Sequence, residues 1–175
     1  MYNQNTKRFS FDPEKGIEVL LYIADKTKDI YKILKILYFA DKLHLSKYGR
    51  FISGDYYIAM KHGPVPSRSY DIIKIARGEN PNIYDIDIKE LFDVKDNDLI
   101  PKRSAKIEYL SETDKECLDM AIEENKNLSF NQLKEKSHDK AFKHTENEND
   151  EIYVDLIAES LDNSDRVKEF IKNLY

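Results

Sequence analysis

Residues Ile30 to Tyr48 read IYKILKILYFADKLHLSKY, and Gly54 to Ser67, a few residues on, read GDYYIAMKHGPVPS. At about 100° per residue, Ile30, Leu34, Leu37, Leu45 and Tyr48 fall on one line, and Ile33, Ile36 and Ala40 widen it. So wide an apolar arc predicts a long, central, well-buried helix. The opposite side carries Lys32, Lys35, Lys42 and Ser46 and reads as a solvated basic stripe. Asp41 and His44 interrupt the apolar arc three residues apart, so both need partners or water. Phe39 is the reverse case, an aromatic on the lysine side. Cover from the same domain is the expectation for it; an exposed anchor for a partner is the alternative.

Gly54 to Lys61 predicts a strand, with Tyr56, Ile58 and Met60 on one face and Tyr57 and Ala59 on the other. Gly63-Pro64-Val65-Pro66 cannot continue it, because the two prolines lack donors. Ser67 is placed to cap a helix carrying Tyr70, Ile72, Ile73 and Ile75, which stops at Gly78. Upstream, residues 1–11 form a lead-in anchored by Phe9 and Phe11, and residues 12–175 form one domain. Asp12-Pro13 starts a helix over Ile17, Leu20, Leu21 and Ala24 that runs to about Lys26. Thr27 or Asp29 caps the central helix, and Gly49 follows its end.

Downstream, Phe92-Asp93-Val94 and Leu99-Ile100-Pro101 flank a polar turn and predict a hairpin. Ile86 to Leu91 fits either a strand or a helical turn. Ser111 with Asp114, and Ser129 with Gln132, have capping-box spacing ahead of helices carrying Leu118, Ala121 and Ile122, and Leu133. His138 to Asp150 reads as an exposed loop, and Ile152 to Leu161 and Ser164 to Leu174 as two closing helices. The expected fold is mainly α with a small β element: a compact helical domain with a long buried central helix and a short antiparallel sheet or hairpin.

Composition narrows the function. The chain has 175 residues, 41% hydrophobic and 35% charged, as in a globular protein with a proper core. A net charge of −5 argues against a general nucleic-acid binder. The single cysteine, Cys117, excludes an internal disulfide and fits a reducing cytoplasm. No run approaches the ~18 apolar residues of a membrane span, and the N-terminus lacks a signal-peptide core. His44, His62, His138 and His144 show no HExxH-like spacing, so neither a metal nor another cofactor is expected. No nucleophile elbow or phosphate loop occurs, which argues against an enzyme. A small-molecule or hydrolytic site around Asp41, His44 and His62 is the remaining chemical alternative.

The run Lys35 to Lys42 (KILYFADK), Tyr48-Gly49-Arg50, Gly54 to Pro66 and the later Ser137-His138 resemble the Panacea domain, the SocA-like antitoxin family seen in phage-associated proteins. The resemblance extends over roughly Gly16 to Leu161. It implies a helical domain with a small β element that neutralises a cognate protein toxin by direct contact. It also implies a rival role, an adaptor that delivers its toxin to a Clp-type protease. On this reading Lys35, Tyr38, Phe39, Lys61, His62 and Val65 are candidates for the toxin-contact surface. Asp41, His44, Gly63, Pro64, Pro66, Ser67 and Tyr70 are structural.

Overall fold

Asp12 and Asp29 open the first two helices in the same way, each carboxylate accepting a hydrogen bond from a first-turn N–H: Lys15 N at 3.1 Å and Lys32 N at 2.8 Å. The computed structural model describes residues 7–174. Helix α1 spans Pro13–Ala24 and α2 spans Ile30–Tyr48, which ends on Gly49 at φ 76°, its N–H donating back to Leu45 O. After α2 come β1 (Tyr57–Met60), β2 (Gly63–Pro66) and α3 (Ser67–Arg77). Strands β3 (Phe92–Lys95) and β4 (Asp98–Pro101) form the expected hairpin. Helices α4 (Glu112–Asn125), α5 (Phe130–Ser137) and α6 (Lys140–Lys143) follow, then β5 (Glu151–Ile152), α7 (Val154–Glu159) and α8 (Ser164–Asn173). Of the two readings left open for Ile86–Leu91, the helical one holds, as a 3-10 turn over Ile88–Glu90. The class is mainly α with a small antiparallel β element.

Helix α2 lies between two apolar clusters. Ile33, Leu34, Ile36, Leu37 and Ala40 pack with α1, α3, α4 and the β3–β4 hairpin, while Tyr38 and Leu45 pack with Phe51, Tyr57, α7 and α8. Each fully buried leucine or isoleucine contributes about 1.5–3 kcal/mol, so this helix anchors the whole core. Both capping boxes form as expected, Ser111 with Asp114 and Ser129 with Gln132. Tyr48 departs from the apolar line and is 37% exposed, since the helix runs out of cover at its last residue.

The lysine side of α2 is not a solvated stripe. Lys32 Nζ donates to Lys126 O at the end of α4, Lys35 Nζ to Pro64 O and Lys42 Nζ to Asp139, all at 2.7 Å. Helices α4, α5 and α6 close over this side, and each lysine stem is covered while its head meets an acceptor of a neighbouring element.

Gly63-Pro64-Val65-Pro66 is itself a strand, the edge of a three-stranded antiparallel sheet ordered β2-β1-β5. Ser67 N donates to Tyr56 O, so the odd-numbered residues of β2 face β1. Pro64 and Pro66 therefore turn their missing N–H groups outward, and their lack of donors costs the ladder nothing. The strand of β1 begins at Tyr57 rather than Gly54, because Gly54 takes φ 76° and a Cβ there would lie 2.0 Å from Ser10 O.

Three further expectations are corrected. Ser67 does not cap α3; Asp55 does so from a distance, accepting Arg68 N at 2.9 Å and Ser69 N at 2.8 Å. His138 to Asp150 is not one exposed loop, since Asp139 caps α6 and Ala141 is buried. Ile152 belongs to β5, paired with Tyr57, so the helix after it starts at Val154. Phe9 packs edge-on to Phe51 at 5.1 Å, and Phe11 covers Gly16. Residues 1–6 of the expected lead-in lie outside the described residues.

Candidate functional site

The signature residues divide into interior groups and a cleft. Asp41 is fully buried, with Ile52 N donating to one oxygen at 2.7 Å and Tyr57 OH to the other at 2.6 Å. Burial pushes its carboxyl up to about 7 against those two donors. His44 faces elsewhere: Nδ1 donates to Arg50 O, and Nε2 sits 3.0 Å from Thr113 Oγ1 and 3.3 Å from Asp114. Asp114 gathers Lys15 at 2.6 Å, Arg50 at 3.0 Å and Ser111 N at 2.8 Å. Burial works against its charge, but its contacts with His44, Lys15 and Ser111 N hold the carboxyl well below the usual carboxylate range. Asp41 and His44 thus point into separate environments, and His62 lies in a third at the β1–β2 turn, so the three share no site.

Cys117 is buried on α4, and burial pushes its thiol up to about 11, the opposite of an activated thiolate.

Tyr38 is also interior. Its hydroxyl donates to Asp139 at 2.7 Å, on the carboxylate that also accepts Lys42. Phe39 is half-buried between the two apolar clusters, with Lys136 Nζ 4.5 Å from its ring centre, so the domain covers it as expected. Among the contact candidates, then, Tyr38 offers no surface in this fold and Phe39 little.

The other four candidates converge. Lys35, Lys61, His62 and Val65 line one cleft of about 470 Å³ between the start of α2, the β1–β2 turn, α3 and the first residue of α5. Tyr70 of α3 stands in its wall. Lys61 is exposed and His62 half-buried at the turn. Phe130, 45% exposed, packs on Tyr31 at 4.4 Å and edge-on to His62 at 5.3 Å, while Tyr31 OH donates to His62 O at 2.9 Å. Gly63 takes φ 112°, and a Cβ there would meet Ser137 Oγ at 2.5 Å and Lys35 Cε at 3.1 Å, so the close approach of β2 to α5 requires glycine.

Lys35 lies on the floor, 1% exposed. Its ammonium donates to Pro64 O, the outward carbonyl of the edge strand, and lies 4.7 Å from the Tyr31 ring centre. Burial alone brings its pKa down to about 7. His138, stacked on Phe142, is likewise lowered, by burial and then by Lys134, Lys35 and His62. Phe130, Asp55, Asp114 and Asp139 were not singled out as site residues from sequence. Phe130 follows a capping serine on a short polar helix and carries no periodic signal of its own.

Most of the signature residues are thus committed to the interior of a helical domain. The family model for antitoxin SocA-like proteins, the Panacea domain, matches residues 33–143. The chain belongs to that family. The match spans α2 through α6, a narrower range than the one expected from residue 16 to 161, and leaves α1, α7 and α8 outside it. Comparison with curated proteins and with solved structures gave no match. No helix among the described residues is long and apolar enough to cross a membrane.

Proposed function

We propose that this protein is a cytoplasmic antitoxin that neutralises a cognate protein toxin by direct binding, without cofactor or chemistry. Family membership supports the class of function. The observation that carries the contact surface is Phe130, a large aromatic exposed at the cleft mouth beside Lys61 and held in place by Tyr31 and His62. A partly exposed aromatic packed on its neighbours, beside an exposed charge, is the kind of anchor that interfaces use. Lys35 and Val65 line the cleft beneath this anchor.

The test is co-expression with the product of the adjacent gene, scoring growth and co-purification. Rescue of growth with a stable complex is expected. Rescue with loss of the neighbour's protein, seen only in protease-proficient cells, would replace blocking by delivery to a protease. No toxicity and no complex would overturn the antitoxin reading.

A further inference from the structure

The floor of the same cleft has chemistry that scaffold building does not require. Lys35 carries three donors, and among the described residues it has one hydrogen-bond acceptor, Pro64 O, and no carboxylate within ion-pair distance. A buried ammonium without a counter-anion is unfavourable, and here its proton is held only weakly. The carboxylates of the wall do not relieve it, because Asp29 is engaged in capping α2 and Glu148 is exposed. Above Lys35 the wall has an apolar part, Ile30, Leu34, Met60, Val65 and Phe130, and two further cations, Lys61 and Arg77. His62, in the same wall, has its Nδ1 buried without a partner. The volume of about 470 Å³ is that of a small-molecule site.

We infer that this cleft binds a small organic acid with an apolar body, its carboxylate set against Lys35 and its hydrocarbon portion along Ile30, Leu34, Val65 and Phe130. The carboxylate supplies the missing counter-charge and restores the ammonium, and His62 Nδ1 offers a further donor in the tautomer that carries its proton there. The apolar part of the wall, left wet by a small inorganic anion, favours an acid with a hydrocarbon body. This inference does not rest on the toxin-binding reading, since its test contains no partner.

The probe is octanoate, titrated into isotope-labelled protein, with octanol as the neutral counterpart. Saturable shifts are expected at the methyls of Ile30, Leu34 and Val65, together with a rise in the titration midpoint of Lys35 read at its Cε. Octanol, and octanoate with the Lys35→Met variant, should bind about tenfold more weakly or worse, as befits loss of a charged hydrogen bond. Phe130→Ala, a change at an exposed residue, should weaken both octanoate and octanol. Absence of saturable shifts, equal binding of octanol, or undiminished binding to Lys35→Met overturns the inference. If Lys35→Met does not fold, the wild-type Lys35 midpoint decides: moved upward by octanoate it supports the site, unmoved it overturns it.

Discussion

Lys35 is the residue whose surroundings say most about this molecule. In an unfolded chain a lysine keeps its proton to about pH 10.4; in the fold, burial brings Lys35 to about 7. Between those values the unfolded chain binds more protons than the folded one, so Lys35 makes stability rise with pH across that window. It contributes up to about 1.4 kcal/mol per pH unit there, and that stability is lost as pH falls through 7. Urea unfolding of the wild type and Lys35→Met between pH 6 and pH 10 should therefore give diverging curves, steeper for the wild type. Parallel curves would show that Lys35 is not buried as described. Asp139 allows a second test. It accepts Tyr38 OH and Lys42 Nζ and caps α6 through Phe142 N. Asp139→Ala should cost about 2–3 kcal/mol, since it strands a buried hydroxyl and removes a cap. Tyr38→Phe should cost little more in that background, a non-additivity that a double-mutant cycle would read.

At the scale of elements, helix α3 shows how a cap can be placed by distant residues. Asp55 precedes β1, yet its two oxygens accept Tyr56 N, Arg68 N and Ser69 N after the β1–β2 hairpin has returned the chain. Asp55→Ala should destabilise the protein by about 1–2 kcal/mol or more, because those donors are covered. Ser67→Ala should stay within about 0.5 kcal/mol, since its side chain caps nothing. Reversed magnitudes in chemical denaturation would restore Ser67 as the cap. The sequence pattern led to Ser67 because capping is normally local, and a cap delivered across a hairpin leaves no signature in spacing. The same limit applies to β2. Its two prolines argue against a central strand, and only the pairing with β1 shows that they occupy the outward positions of an edge.

For the whole molecule, the cleft between α2, the β1–β2 turn and α5 is the proposed contact surface. Lys61→Glu, at an exposed position, should leave stability within about 0.5 kcal/mol, and Phe130→Ala, which gives up its ring contacts with Tyr31 and His62, should cost about 1 kcal/mol, while each weakens neutralisation and co-purification. Intact neutralisation with both changes combined would move the contact surface away from this cleft. Helix α2, its end at Gly49, both capping boxes and the β3–β4 hairpin were legible in the sequence, because each depends on contacts a few residues apart, and the structure chose Asp29 over Thr27 as the cap of α2. What surrounds α2 was not legible. A helical wheel assigns Lys35 and Lys42 to water, but α5 and α6 cover them, and each lysine finds its acceptor more than twenty residues away. The sequence by itself determined the helices from α1 to α5 and the family to which they belong, since periodicity and a contiguous signature are local properties. Only the tertiary structure decided which lysine is buried, which aspartate caps α3 and that four candidate residues share one cleft, because burial and hydrogen-bond partners are settled by which distant segments close over them.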